Sequence, residues 1–567
     1  MHLLGHLLGR SLGLTLLLTC GLLQAAPFDL ILQGGLIYDG SGKPPYRADI
    51  AVQDNKIAAI GDLTAAQDQA VLDVAGLAVA PGFINMLSWA TESLLVDGSS
   101  QSDIRQGVTL EVFGEGMSMG PLSASMKELM LSRQGDLQFD IAWTTLGEYL
   151  DHLVAQGIAP NVASFVGATT VRIHELGFVD RPPDAAELIR MQTLVEDAML
   201  EGALGVGSSL IYAPAFYAKT DELIALMQAA AKYGGMYISH MRSEGNRLEE
   251  SIDELIEIAE QTGSAAEIYH LKIAGMDNWS KFDASVASIE AARKRGLAIT
   301  ANMYTYPAGS TGLDAAMPPW VQEGGYDSWV ARLQDPGIRE QVALEMTTPT
   351  DDWENLYLAA GADKMLLVGF RNPQLRQYAG KTLAEVARLR GQTSHETAMD
   401  LVIEDGSRVQ VVYFLMSEEN VAKTVALPWV SFGSDAGSIA NTGVFIKRST
   451  HPRTYGNFAR VLGKYVRDEK VLPLQQAIYK LTKLPATNMK IRNRGQLQPG
   501  YFADIVVFDP AKVQDHATFA EPHRYSTGVV HVFVNGQRVL THGEPTGRTP
   551  GQVVRGPGWR GWQAAEG

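Results

Sequence analysis

Residues 221–272 read "DELIALMQAAAKYGGMYISHMRSEGNRLEESIDELIEIAEQTGSAAEIYHLK", and this stretch decides the fold. Thr220 stands as an N-cap before it, Asp221 and Glu222 follow in the first turn, and Gly234 ends the helical run. A short apolar strand, "MYISH", comes next. A second helix, "NRLEESIDELIEIAEQTG", leads to a second strand, "AAEIYHLK". The rhythm continues with "DASVASIEAARKRG" and "LAITANMYTY". Helix and strand alternating at this spacing predict βα units in a parallel sheet. No glycine fingerprint for a dinucleotide follows the first strand, which favours a closed barrel over an open doubly wound sheet. Residues 311–410 break the rhythm, and "MPPWVQEGGYDSW" within them reads as part of an insertion between two late barrel strands.

The ends of the chain have a different pattern. Residues 28–80 alternate over short runs broken by Gly, Asn and Asp, a hairpin signal. A matching pattern returns in "GQLQPGYFADIVVFDPAKV" and "GVVHVFVNGQRVLTHGE", where Val530, Val532 and Val534 alternate before an Asn535–Gly536 turn. The expected architecture is α/β. It is a TIM-like (β/α)8 barrel over 81–486, insertion included, with a small β-sandwich built from 27–80 and 487–567.

Composition bounds the function. The chain has 567 residues, 46% hydrophobic and 19% charged, with a net charge of −16. That is globular composition, and its acidity excludes the basic footprint of a nucleic-acid binder. Residues 1–26, "MHLLGHLLGRSLGLTLLLTCGLLQAA", carry one Arg, an apolar run too short to span a bilayer and then small residues. They read as a cleaved secretory signal, so a secreted or periplasmic protein without a membrane span is expected. The sole cysteine, Cys20, lies in that segment. The mature chain then has no thiol for a disulfide, a metal or a nucleophile. Lipid anchoring at Cys20 is the minor alternative, because Thr19 occupies a position where a smaller residue is usual.

Four residues stand out for chemistry. His240 ends "MYISH" and His270 lies near the end of "AAEIYH", one βα repeat later. In a barrel both reach the C-terminal ends of adjacent strands, where active sites lie. Two imidazoles there can share a metal ion, or can be two unrelated strand-end histidines. Asp435 in "VSFGSDAGS" can serve as a proton acceptor or cap a turn. Glu115, among glycines in "EVFGEGMSMGP", can ligate an ion or stabilise a turn.

A resemblance weighs between these readings. The stretches "APGFI", "GALGVGSSLIYAP", "YISHMRSEG", "YHLK", "YTYPAGSTGLDAAMPPW", "FGSDAGS", "HPRTYGNFARVLG", "RGQLQPGYFADIVVFDP" and "VFVNGQRV" follow one another in order. With them, nearly the whole chain after the signal resembles the D-aminoacylase (N-acyl-D-amino-acid deacylase) family of the amidohydrolase superfamily. The resemblance implies metal-dependent amide hydrolysis. It implies His240 and His270 as metal ligands, Asp435 as the catalytic acid–base, and Lys272 and Tyr304 as residues facing substrate. The family's bridging Cys falls on Glu115. Its HxH pair falls on Leu87 and Trp89, with Asn85 in place of the preceding Asp, and Asn302 replaces an acid beside Tyr304.

Leu and Trp cannot ligate, so one zinc ion held by His240, His270 and Glu115 is expected rather than two, with Asn85, Leu87 and Trp89 forming a metal-free wall of the pocket; Glu92 is a weaker ligand candidate. The expected substrate is an N-acyl amino acid, D-configured by the resemblance, or a related small amide. Arg242, Lys272 and Arg453 are candidates for its carboxylate, and Tyr304 for the developing oxyanion. A dipeptidase or cyclic-amide hydrolase shares the zinc set, and a non-catalytic binding protein is the rival from another class. The sequence leaves the oligomeric state open.

Overall fold

A computed structural model of the protein describes residues 28–64 and 70–562. The expected signal, with Cys20, lies outside the described residues. Among those described, no helix is long and apolar enough to cross a membrane.

The helix–strand alternation folds into parallel sheet. One run of strands pairs in the order Val430–Phe432, Ile299–Met303, Ala266–Ile268, Met236–His240, Gly205–Ser209 and Val166–Gly167. A second run pairs Phe83–Asn85, Val108–Phe113 and Asn161–Ser164. The runs meet at both ends. Asn161–Ser164 leads through Phe165 into Val166–Gly167, and the Phe165 amide donates to the Phe113 carbonyl. On the other side the Met86 amide donates to Phe432 O at 3.2 Å, the Asp435 amide to Leu87 O at 2.9 Å, and Ser88 bridges Ala436 in parallel. The pairing therefore returns to its starting strand, and the strands' C-terminal ends converge on one side.

The helices outside behave as their sequences dictate. Leu248–Thr262 buries Leu248, Ile252, Leu255, Ile256 and Ala259, one stripe at helical spacing. Glu249 and Glu250 lie in its first turn, and Gly263 ends it in the left-handed region at φ 64°. The helix Thr220–Ala231 starts one residue earlier than the sequence suggests. Thr220 does not cap it, because its hydroxyl is hydrogen-bonded to Glu254 on the neighbouring helix at 2.9 Å. The strand read from "AAEIYHLK" stops at Ile268. His270 adopts φ 35°, which takes the chain out of the extended region.

Between Ile299–Met303 and Val430–Phe432 the chain builds a separate antiparallel sheet of Gly309–Gly312, Gln410–Tyr413 and Met365–Gly369. Helices Tyr326–Gln334, Pro336–Thr347, Leu383–Arg390 and Ser394–Asp405 surround it. This unit has its own apolar core, which includes Met317, Val321, Trp329, Leu367 and Val411. The aromatic and Met residues of "MPPWVQEGGYDSW" thus chiefly pack the unit itself.

Both termini meet in one nine-stranded sheet. Ala78–Pro81 pairs antiparallel with Ile505–Phe508, which joins the N-terminal strands to the C-terminal ones. The hairpin Val529–Val534/Gln537–Thr541 turns at Asn535 and Gly536, both at positive φ, as the Asn-Gly pair predicts.

Candidate active site

The strand ends bring Glu115, His240, His270 and Asp435 together around a cavity of about 600 Å³. Glu115 lies in the turn after Val108–Phe113, between Gly114 at φ 109° and Gly116 at φ 69°. A Cβ on Gly114 would lie 2.4 Å from the Phe165 carbonyl oxygen, so this close passage of backbone requires glycine. The turn aims the buried Glu115 carboxylate inward. Its Oε1 lies 3.0 Å from His240 Nδ1 and 2.8 Å from His270 Nε2.

His270 is held on two sides. Its backbone amide donates to Asn302 Oδ1 at 2.9 Å, and Asn302 Nδ2 donates to Glu267 at 2.9 Å. The residue that replaces an acid beside Tyr304 therefore shapes the His270 turn. On the ring, Nδ1 lies 3.0 Å from Glu244 Oε1 and 2.7 Å from Lys272 Nζ, and Lys272 donates to Glu244 Oε1 at 2.5 Å. Asp435 sits at φ 50°. Its Oδ2 lies 2.8 Å from Arg453 Nη1, and its Oδ1 accepts from the Trp89 indole N–H at 3.2 Å. Two non-glycine residues at positive φ around one cavity, His270 and Asp435, are local strain of the kind that accumulates at functional sites.

Electrostatics follow from this packing. Burial alone would raise the Glu115 carboxyl, but His270 and His240 outweigh it and hold it well below the usual range. Burial and Lys272 push the His270 imidazole down. The carboxylates of Glu244 and Glu115 overcome them and raise it to about 9. Burial raises the Asp435 carboxyl, with Arg453 opposing and Glu115 adding to the rise. Burial raises Tyr304, whose ring lies 4.4 Å beneath the Arg453 guanidinium.

Glu115, His240 and His270 each offer a ligand atom, and these atoms lie within 4.8 Å of one another. Nε2 of His240 is buried without a hydrogen-bond partner. Two imidazoles and a carboxylate with one nitrogen unsatisfied fit a divalent cation with open positions, zinc among them.

The structure brings Lys272, Tyr304 and Arg453 to the same cavity. Arg242 goes elsewhere. It pairs with Glu254 at 2.8 Å, donates to the carbonyls of Phe216 and Ala218, and lines a neighbouring cavity of about 800 Å³. It faces outward because it lies beyond the strand end, beside helix Leu248–Thr262. Glu92 is exposed. Leu87 is buried in the apolar core within the strands, and buried Asn85 hydrogen-bonds Asp103, Glu111 and Ser434.

Sequence reasoning missed Glu244 and Glu354; it placed Trp89 in the pocket wall, where the structure also has it, but not its hydrogen bonds. Glu244 binds Lys272 and His270; its signal was an acid four residues past His240 in the polar loop "HMRSEG". Trp89 donates to Glu115 Oε2 at 2.9 Å as well as to Asp435. Glu354, from the insertion, lines both cavities, and its Oε2 accepts the Glu244 backbone N–H. Burial, with the Glu244 carboxylate beside it, pushes Glu354 up to about 7. No local pattern marks Glu354, because it meets the site only through the tertiary fold.

Comparison with known proteins adds to this geometry. Residues 138–540 match the family model described as "Amidohydrolase family". The chain is 34% identical over 535 residues to a D-aminoacylase of Alcaligenes xylosoxydans xylosoxydans, covering 94% of this chain and 98% of that protein. A zinc-bound N-acyl-D-glutamate deacylase from Bordetella bronchiseptica, complexed with a phosphonate mimic of the tetrahedral intermediate, superposes with a TM-score of 0.77. It is 31% identical, over 93% of this chain and all of that one. A D-aminoacylase structure concerned with one-metal activation and second-metal attenuation of a binuclear center gives the same TM-score at 32% identity and the same coverage.

Proposed function

The chain belongs to the amidohydrolase family, within the D-aminoacylase and N-acyl-D-amino-acid deacylase group, and on that premise we propose that it hydrolyses the amide bond of N-acyl-D-amino acids. The observation that carries the reading is the meeting of Glu115, His240 and His270 opposite Asp435 in one cavity. A (β/α)8 barrel with a β-sandwich from both termini is the architecture that the closed strand pairing and the shared terminal sheet support.

Glu115, His240 and His270 are the residues that would hold one zinc ion. When bound, zinc polarises the scissile carbonyl and lowers the pKa of a water. Asp435 takes the water proton as its oxygen attacks the carbonyl carbon, and delivers that proton to the amide nitrogen as the C–N bond breaks. The products are a carboxylate and a free amino acid. Burial suits Asp435 to this shuttle, since a carboxyl raised from its ordinary range is a better acceptor.

Tyr304 supports the developing oxyanion. Among the described residues its hydroxyl pairs with a thioether, Met416 Sδ at 3.6 Å, which is a weak acceptor and leaves the donor free to turn. Lys272, Arg408 and Arg453 are the cations lining the cavity and so the candidates for the substrate carboxylate, with Arg453 also paired with Asp435 and Arg408 with Asp314. Ile173, Phe178, Ile211 and Leu356 on the cavity wall suit an apolar acyl or side chain. The N-terminal apolar run supports export to the periplasm or beyond.

The test is a substrate panel on the zinc-loaded protein: N-acyl-D-amino acids, their L-enantiomers, dipeptides and cyclic amides. Turnover of the D series above the others is expected. Preference for dipeptides or cyclic amides would replace the reading with another amidohydrolase activity.

A further inference from the structure

Trp89 stands where two carboxylates of the site converge. Its indole N–H lies 2.9 Å from Glu115 Oε2 and 3.2 Å from Asp435 Oδ1. The backbone locks this arrangement. The Trp89 amide donates to Ala436 O at 3.0 Å and the Asp435 amide to Leu87 O at 2.9 Å, so the residues sit in fixed register across adjoining strand ends. The ring itself is partly exposed to the cavity.

We propose that Trp89 is a positioning residue that satisfies both carboxylates with one neutral donor and thereby restricts the site to a single cation. A buried carboxylate and a largely buried one held this close are stabilised by a shared donor, a shared cation or a proton on one of them. The indole N–H fills the first role, and the ring takes the room that a cation bridging them would need. Glu115 is then left with Oε1 alone, the atom already facing both imidazoles. Asp435 is clamped on both oxygens, by Trp89 and by Arg453, which aims the shuttle without making the indole a reactant. The inference rests on the metal-dependent hydrolysis proposed above.

The test removes the N–H and keeps the shape, by replacing Trp89 with benzothienylalanine, an isostere with sulfur in place of N–H. Trp89→Phe serves as second variant if the isostere lowers folding yield. Each is compared with wild type in three measurements on the full chain: metal per chain after gel filtration from excess cobalt, the visible spectrum of the cobalt form, and kcat and KM with the best panel substrate. Wild type should retain one cobalt. The variant's spectrum should change, because Glu115 Oε2 is freed toward the ion. Its kcat should fall about tenfold, the scale of a lost hydrogen bond to a charged group, with KM changed by less than about twofold. Loss of folded protein alone would lower cobalt content and kcat together without giving the bound cobalt a new spectrum. Two tightly held ions in wild type, an unchanged spectrum, or an unchanged kcat overturns the assignment. A wild-type chain without metal or hydrolysis removes the premise and the assignment with it. An active one-metal wild type with an insensitive variant removes the Trp89 assignment alone.

Discussion

Asp435→Asn separates chemistry from assembly, because Asp435 lies outside the Glu115, His240 and His270 set that can hold the ion. A positioned acid–base group contributes about 10²- to 10⁴-fold to the rate. At 1.36 kcal/mol per tenfold, that is about 3 to 5 kcal/mol of barrier. The substitution keeps volume and one acceptor oxygen. It also removes the charge partner of Arg453, whose side chain is only 3% exposed. Removing one member of a buried ion pair costs about 3 to 5 kcal/mol, and the retained oxygen puts this case toward the lower end. The variant should therefore melt earlier, bind zinc as wild type does, and lose at least 10²-fold in kcat on that scale. Elemental analysis, a thermal melt and steady-state kinetics measure the three quantities. The pH profile adds a check. Burial raises the Asp435 carboxyl, so as pH falls through that raised value the base is protonated and wild-type activity drops. The acidic limb should lie above the ordinary Asp range near about 4, and the residual activity of the Asn variant should lack it. A zinc-loaded Asp435→Asn enzyme within tenfold of wild-type kcat would refute the assignment of the base.

Glu115→Ala should reduce zinc retention through dialysis by more than the roughly 10- to 100-fold that losing a ligand's hydrogen-bond partner costs; undiminished zinc content would exclude Glu115 as a ligand. Glu354 has a raised folded-state value of about 7. Between the ordinary Glu value and that one the unfolded chain gives up its proton first, so Glu354 destabilises the fold increasingly as pH rises and fully above about 7. Glu354→Gln should thus stabilise the protein at pH 8 by up to about 3 kcal/mol and near pH 4 by little, which urea unfolding at the two pH values can read. Arg242→Ala should leave kcat/KM within about threefold, since no substrate contact is removed. It should lower stability through the lost Glu254 pair, and a tenfold rise in KM would place Arg242 at the substrate after all.

The sequence by itself determined the periodic part of this protein. Apolar stripes at helical spacing and acids in first turns define helices such as Leu248–Thr262, and their alternation with short strands dictates parallel pairing. Converging strand ends placed His240 and His270 near one another, whereas Asp435 took its role from the resemblance. Glu115 was legible through the resemblance, as an acid in a ligand's place. Tertiary structure alone decided what surrounds them. Trp89 looked like a missing ligand in a pocket wall, and became a shared donor when strands distant in sequence came into register. Arg242 looked like a cavity cation, but the helix beside it supplied Glu254 and turned it outward. Glu354 carried no signal at all, because it reaches Glu244 from an insertion with its own core. Periodicity is a local property of the backbone and can be read along the chain. Which side chains share a hydrogen bond, and what burial does to their charge, depends on contacts between segments hundreds of residues apart.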